Sequence, residues 1–410
     1  MNRILLKKHT LITAAIFVVM PLYSLPLILR AVLCKKEWAF FMFSLFMGLV
    51  GILWPPTGDL YRYTDNYYMY KDCNWNNFID IIQFKFDYVL PFLSYVLARL
   101  NLPFDLSRFF FNFLGYYFLS RIMISICKHN PSFNDKKSYL YALIILIPLS
   151  FSTYLFRYSF STILFVYGSY LINYEFRKNG YLFVALACLN HFSYVVFLPL
   201  LFATKLNFLR FNKMTIIMMF IVSFMLSGNI LVSILDKLPI SDQLLFHLMN
   251  YFDGYWSQEY LNDHSLKYKI MTFLFSFLTY IYYWGYIATY DKKANRQLLY
   301  VNSFILFTLI VAPFSVVYER FLGVSLLIMK VHYLYYYDSA NCKMVNFLRL
   351  FAFCAMFATL LNWWSVRREL SISEESCLLY STSVQILFHS YDKNWINDNI
   401  MDDGNLVNNN

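Results

Sequence analysis

Charge is scarce in this sequence. Only 14% of its 410 residues are Asp, Glu, Lys or Arg, against the roughly one quarter that covers the surface of a soluble domain. With so little charge and no long polar domain, water cannot be the main solvent of the chain. Familiar chemical signatures are lacking too. No Walker loop, GxGxxG or HExxH occurs, so nucleotide, flavin and zinc sites have no motif to rest on. The seven cysteines (Cys34, Cys73, Cys127, Cys188, Cys342, Cys354 and Cys377) contain no Cys-x-x-Cys pair and no metal spacing. Most lie in or beside apolar runs, where Cys behaves as a small hydrophobe. No internal repeat marks an inverted-repeat transporter. No cleavable signal is expected, because the first apolar run has no small-x-small site and a second run follows at once.

What is present is apolar. Hydrophobic residues make up 59% of the chain, and the mean hydropathy is +0.48. Apolar runs of about 17–25 residues, the length that crosses a bilayer, recur throughout. Lipid offers no hydrogen bonds, so each crossing segment must satisfy its own backbone as helix. The runs are continuous rather than alternating, which excludes a β-barrel. The expected fold is therefore all-α and polytopic, with roughly 11–13 crossings. The spans fall near 11–33, 38–54, 88–100, 107–126, 139–156, 158–174, 181–203, 214–235, 267–290, 298–315, 317–337 and 345–364. The run 88–100 is too short to cross alone. Residues 1–364 form one transmembrane domain, and 365–410 a polar tail whose ending reads as frayed. The net charge of +10 fits basic cytoplasmic loops and calls for no nucleic acid.

Lysine and arginine set the orientation. Lys205, Arg210 and Lys213, and then Lys292, Lys293 and Arg296, place 204–213 and 291–297 inside. The acidic segments 55–87 and 236–266 are then the two larger outer loops. Strict alternation fails between 88 and 203, where Lys128, Lys136, Lys137, Arg177 and Lys178 would fall outside. A broken or re-entrant helix is expected there, and Asn190-His191, midway along 181–203, is a candidate place for it.

Four polar features interrupt the apolar pattern. The first is 58–72, Gly-Asp-Leu-Tyr-Arg-Tyr-Thr-Asp-Asn-Tyr-Tyr-Met-Tyr-Lys-Asp. An interfacial aromatic belt accounts for its tyrosines as well as ligand binding does. Asp59 and Arg62 stand at the end of a span, held rigidly at the edge of water. The second is Arg157, the one charge between Lys137 and Glu175. Ionisable groups at membrane depth are costly and are functional candidates, and a guanidinium holds phosphate through a planar fork. A snorkelling arginine at a helix end is the alternative. The third is His191, suited to a general base at neutral pH or to a packing role. The fourth is Glu319-Arg320, either a self-satisfied surface pair or a second outer cation. Loop 236–266 adds Trp256 and other aromatics among acids, either a sugar-stacking surface or a membrane-lying helix.

The order of these features resembles the EpsG/Wzy-type polysaccharide polymerases of bacterial inner membranes. The family's Gly-x-Asp-x-x-x-Tyr segment corresponds to Gly58-Asp59 with Tyr61, Tyr63 and Tyr67. Its Arg-Gln start to a span corresponds to Arg157-Tyr158, with Tyr158 where Gln is usual. Its alanine-rich stretch ending in His-x-Ser corresponds to Ala185–Leu189 followed by His191-Phe192-Ser193. The resemblance implies a polymerase of undecaprenyl pyrophosphate-linked oligosaccharide on the periplasmic face, making O-antigen, capsule or exopolysaccharide. A flippase of the same lipid-linked sugars, or an O-antigen ligase, is the alternative. A chain-length regulator and a flippase of the pathway are the implied partners, beside the bilayer and the lipid-linked substrate. No cofactor or metal is expected, since the acidic pair of a metal-dependent glycosyltransferase is missing. Arg157 is the expected stabiliser of the leaving pyrophosphate, with Arg62 and Arg320 supporting it. His191 and Asp59 are the candidate bases, and Tyr61, Tyr63, Tyr67 and Trp256 candidate sugar contacts.

Overall fold

The computed structural model describes residues 2–83, 85–148, 156–203, 218, 222, 249, 266–289, 296–312, 314–402 and 404–407. They are helical, and among them the one β-bridge pairs Ile400 with Leu406. By its contacts the chain divides into two units. The first comprises Met1–Leu143, Ile147–Val195 and Asn362–Asn410, and the second Ile144–Leu146 and Val196–Leu361. The expected span 214–235 and loop 236–266 lie outside the described residues, apart from the isolated positions above.

The first unit opens with α1 (Asn2–Val19), α2 (Pro21–Leu33) and α3 (Glu37–Ile52). The run 11–33 is thus two helices rather than the single span expected. Met20 takes non-helical angles, φ −145° and ψ 87°, because the residue before a proline is driven out of the α region and Pro21 has no N–H to donate. The connection 55–87 is also helical, with α4 (Asp59–Asp72) and α5 (Trp75–Ile82). Leu60, Thr64, Tyr67 and Tyr70 are the buried side of α4, a spacing of three and four that follows one helical face. Then come α6 (Val89–Arg99), α7 (Asp105–His129), α8 (Lys136–Leu146), α9 (Phe156–Asn173) and α10 (Gly180–Asn190). At 11 residues α6 is short, as the sequence indicates. The run 181–203 breaks where Asn190-His191 suggests: His191 is extended, a 3₁₀ turn spans Phe192–Phe197, and α11 (Leu198–Ala203) follows.

Two close contacts organise this unit. Gly168 of α9 and Gly180 of α10 face each other so tightly that a Cβ on Gly180 would lie 2.4 Å from the Gly168 carbonyl oxygen. Small residues let helix backbones meet in this way. Where α3 meets α7, Arg108 is buried. It pairs with Asp105 and donates to the carbonyls of Trp54 and Ile52, the latter at 2.8 Å. A helix end leaves carbonyls without intrahelical partners, and Arg108 supplies them from a neighbouring helix.

The described residues of the tail, as far as Val407, are folded rather than frayed, and 408–410 of the ending lie outside the described residues. The tail carries α16 (Arg367–Ile372), α17 (Cys377–Tyr380), α18 (Ser383–Leu387) and α19 (Lys393–Asn399). Ser383 donates to the Phe17 carbonyl at 2.5 Å, and Val407 N–H to the Asn399 carbonyl at 2.9 Å. Its capping residues, Thr382 and Asp392, each accept a backbone N–H of the helix they open, so local chemistry stops the chain from fraying.

The second unit contains α12 (Leu266–Ala288), α13 (Arg296–Ile310), α14 (Ser315–Tyr335) and most of α15 (Cys342–Ser365). Tyrosine hydroxyls join them. Tyr283 bonds Ser325 at 2.5 Å, Tyr286 donates to Asn302 at 2.9 Å, and Tyr282 donates to the Phe351 carbonyl at 2.6 Å. Buried phenols need such partners. Among the described residues α7 and α15 are the helices long and apolar enough to cross a membrane, and α2, α3, α6, α10 and α13 are shorter apolar helices.

Asp105→Ala strands a buried guanidinium, so it is expected to cost about 3–5 kcal/mol. Asp65→Ala, on the exposed side of α4, is expected to cost within about 0.5 kcal/mol. Thermal unfolding of the detergent-solubilised chain measures both.

Candidate active site

Arg157 stands in the first turn of α9 with 23% of its side chain exposed. Its guanidinium keeps its charge in any setting, so its neighbours decide where it points. Asp87, in the segment between α5 and α6, meets Nη1 through Oδ2 at 2.8 Å and is 19% exposed. The other oxygen of the same carboxylate accepts the Phe192 N–H at 2.6 Å. One acid thus ties Arg157 to the turn that follows His191. Tyr63 of α4 presents its ring to the guanidinium, 5.1 Å from carbon to centroid, a favourable cation–π distance.

One donor of the fork is left unpaired. Nε of Arg157 is buried and makes no hydrogen bond to a described residue. A buried donor left in that state costs about 1–3 kcal/mol, so it calls for a partner. With Nη1 engaged by Asp87, Nε and Nη2 form the edge that can receive two oxygens of one anion.

The backbone under Arg157 is fixed by Asn190, which is fully buried. Its amide donates to the Arg157 carbonyl at 2.9 Å and to the Ser161 hydroxyl at 2.8 Å. The last residue of α10 therefore clamps the first turn of α9. His191 follows in extended conformation, its N–H on the Ala187 carbonyl at 2.9 Å. Its Nδ1 lies 3.2 Å from the Ser193 hydroxyl, and its ring meets Tyr158 edge-on at 5.6 Å. Tyr194, buried beside both, shares a 2.5 Å hydrogen bond with Thr162. The extended backbone at His191 breaks the helix and places the imidazole beside the opening turn of α9.

On α4, Gly58 is the residue before the helix, with φ +59°, a backbone that side-chain-bearing residues avoid. Asp59 begins the helix and meets Arg62 at 3.6 Å; their side chains are 39% and 60% exposed. An exposed pair of this kind contributes little to stability, so both groups are free to serve another purpose. Tyr63 lies four residues after Asp59, on the same helix face. Tyr61 is half-buried, and burial, then Asp402 and Asp65, push its phenol pKa up. Tyr67 is buried, donates to the Leu102 carbonyl at 2.6 Å, and has its pKa pushed up to about 12, chiefly by burial. Tyr67 thus has a packing contact, whereas Tyr63 faces Arg157.

The structure therefore gathers Arg157, His191 and Tyr63 in the first unit, with Asp59 one turn before Tyr63 and Arg62 next to it in sequence. Arg320 belongs to the second unit, half-buried on α14 rather than in a surface turn. Trp256 lies outside the described residues. Asp87 and the anchoring role of Asn190 were missed from sequence. Asp87 reads there as one more acid of a polar connection, and its position just before an unusually short apolar run is the one local signal it offers.

The model of the EpsG family matches residues 36–382 of the chain. No curated protein and no solved structure matches it.

Asp87→Asn keeps an oxygen for the Phe192 N–H but removes the charge facing Arg157. It is expected to destabilise the purified chain by about 1–3 kcal/mol, whereas Asp59→Asn is expected to cost under about 1 kcal/mol. Thermal unfolding compares the two, and equal small losses would show that Asp87 anchors nothing.

Proposed function

The chain belongs to the EpsG family, and on that premise we propose that it polymerises lipid-linked oligosaccharide repeat units at the periplasmic face of the bacterial inner membrane. Family membership supports a polysaccharide polymerase-type role in a membrane. Helices α7 and α15 have the length and composition to cross one, and the shorter apolar helices extend that pattern. We read the whole as a multi-pass protein with roughly 11–13 crossings, whose outer segments are 55–87 and 236–266.

The buried, unpaired Nε of Arg157 carries the reading. In the proposed reaction the donor is the growing chain on undecaprenyl pyrophosphate, and the acceptor is a hydroxyl on a new lipid-linked unit. The bond between the donor's anomeric carbon and the pyrophosphate oxygen breaks, and the acceptor oxygen forms the new glycosidic bond. Undecaprenyl pyrophosphate leaves with the electron pair. Arg157 receives the charge that develops there through Nε and Nη2, and it is already aimed by Asp87 and Tyr63 before the reaction begins. Fixed donors of this kind lower the barrier because they need no reorganisation. The acceptor proton goes to His191 or Asp59, the two candidate bases. Arg62 is proposed as a supporting cation and Tyr61 and Tyr63 as contacts to sugar, whereas Tyr67 is kept in packing by its bond to Leu102; Arg320 and Trp256 are proposed as substrate contacts in their own parts of the chain. The scheme uses no metal or cofactor. Its product is O-antigen or a related surface polysaccharide, and a flippase and a chain-length regulator of the same pathway are the proposed partners.

Complementation of a deletion strain tests this. Arg157→Ala is expected to abolish long-chain polysaccharide while the chain still inserts in the membrane. Arg157→Lys keeps the charge without the fork and is expected to retain less than about one hundredth of the activity. Normal chain lengths from Arg157→Ala would overturn the assignment. In the deletion strain itself, single repeat units on the final acceptor are expected. Carrier-linked polymer would instead indicate a ligase, and units held on the cytoplasmic face a flippase.

A further inference from the structure

Three successive carbonyls at the end of α3 are held by other parts of the chain. Arg108 of α7 takes those of Ile52 and Trp54. The carbonyl between them, Leu53, accepts the Tyr391 hydroxyl at 2.5 Å and the Glu374 N–H at 3.2 Å. The Arg108 guanidinium also lies 5.7 Å from the Tyr391 ring centroid, and Glu374 is paired with His389 at 2.7 Å. Pro55, Pro56 and Thr57 then lead directly to Gly58, so fixing Leu53 fixes the approach to α4.

The tail grips the start of α4 as well. Gly58 donates its N–H to the Gly404 carbonyl at 2.8 Å. Gly404 has φ +86°, and a Cβ there would fall 2.8 Å from the Gly58 carbonyl oxygen. Both glycines are thus required by backbone angle, and Gly404 by closeness as well. Around this contact Tyr391, Ile396 and Ile400 form a buried cluster, against which Tyr61 and Tyr68 of α4 pack. Burial, and after it Asp402, raise the phenol pKa of Tyr61. The first residues of α4 are therefore bounded by the tail, while Tyr63, one turn on, meets Arg157.

We infer that the tail is a positioning part of the active site: Gly404 and Tyr391 set where α4 begins, and so where Asp59 and Tyr63 stand with respect to Arg157. This inference rests on the reading of Arg157 as the pyrophosphate-binding residue. Both Tyr391 and Gly404 lie beyond the residues 36–382 that match the family, so the device is added to the part of the chain that carries the family pattern. Displacing a reacting group by about 1 Å can lower a rate on the order of 100-fold, which makes a backbone contact this close a sensitive control of the reaction.

The test uses membranes carrying the full-length chain and lipid-linked repeat units extracted from the deletion strain. Polymerisation rate is measured against the concentration of those units and normalised to inserted chain. Gly404→Ala is expected to lower the maximal rate about 10- to 100-fold, with little change in the half-saturating concentration. Tyr391→Phe removes the hydroxyl alone and is expected to show a smaller fall of the same kind with normal insertion. Wild-type rates per inserted chain in both variants would overturn the inference. So would losses explained wholly by the amount inserted, or losses confined to the half-saturating concentration. Arg157→Ala run beside them separates the two claims. Full activity there defeats the active-site reading, whereas an inactive Arg157→Ala with unimpaired tail variants defeats only the role of the tail.

Discussion

The ion pair between Asp87 and Arg157 is the constraint on which the rest of the candidate site depends. Arginine is a long side chain whose ordering costs up to about 2 kcal/mol of rotamer freedom. Half-buried, it also loses much of its hydration. Asp87 offsets both costs at 2.8 Å and with its other oxygen holds the Phe192 N–H. A single carboxylate therefore couples the beginning of α9 to the turn after His191. Tyr63 then closes the third side. The consequence is an arginine with one terminal nitrogen engaged, its guanidinium over the Tyr63 ring, and Nε left unpaired.

Around that pair lie supports whose purpose is rigidity. Asn190 fixes the backbone of Arg157 from α10, and the Gly168–Gly180 contact sets how closely α9 and α10 approach. On the other side, Arg108, Tyr391 and Glu374 hold the end of α3, and Gly404 holds Gly58. Side chains with charge or hydrogen-bonding capacity are expensive in an apolar interior. Here each is employed where two chain segments must keep a fixed relation, and apolar packing alone is poor at specifying such a relation.

Much of this was legible from sequence, and for a physical reason. A charge inside an apolar run is costly enough to stand out, which is why Arg157 was conspicuous. The helix break at Asn190-His191 was legible because charge bookkeeping failed nearby. The all-helical class followed from the long continuous apolar runs, and the EpsG family match agrees with the family resemblance. The family match bears on membership over residues 36–382 and not on the single motif positions. What escaped were pairings between distant positions. Asp87 looks like any loop acid until Arg157 is beside it. Arg108 sits in a helix of ordinary apolar pattern and was absorbed into a span. The tail, polar and rich in asparagine, resembles a disordered end, because the surfaces that order it, Gly58, Leu53 and Phe17, belong to the opposite end of the chain. The break at Met20 was missed although Pro21 and Pro26 announced it, since hydropathy alone ignores the missing N–H.

The measurement that bears most directly on the central claim is headgroup binding. Undecaprenyl pyrophosphate and undecaprenyl monophosphate are titrated separately into the purified full-length chain in detergent, at one fixed ionic strength. An arginine whose Nε and Nη2 take two oxygens of a strongly charged leaving group, as proposed, predicts tighter binding of the pyrophosphate. It also predicts that this preference disappears in Arg157→Ala while the chain remains folded. Equal affinity for the two lipids, or a preference that survives the loss of Arg157, would contradict the account.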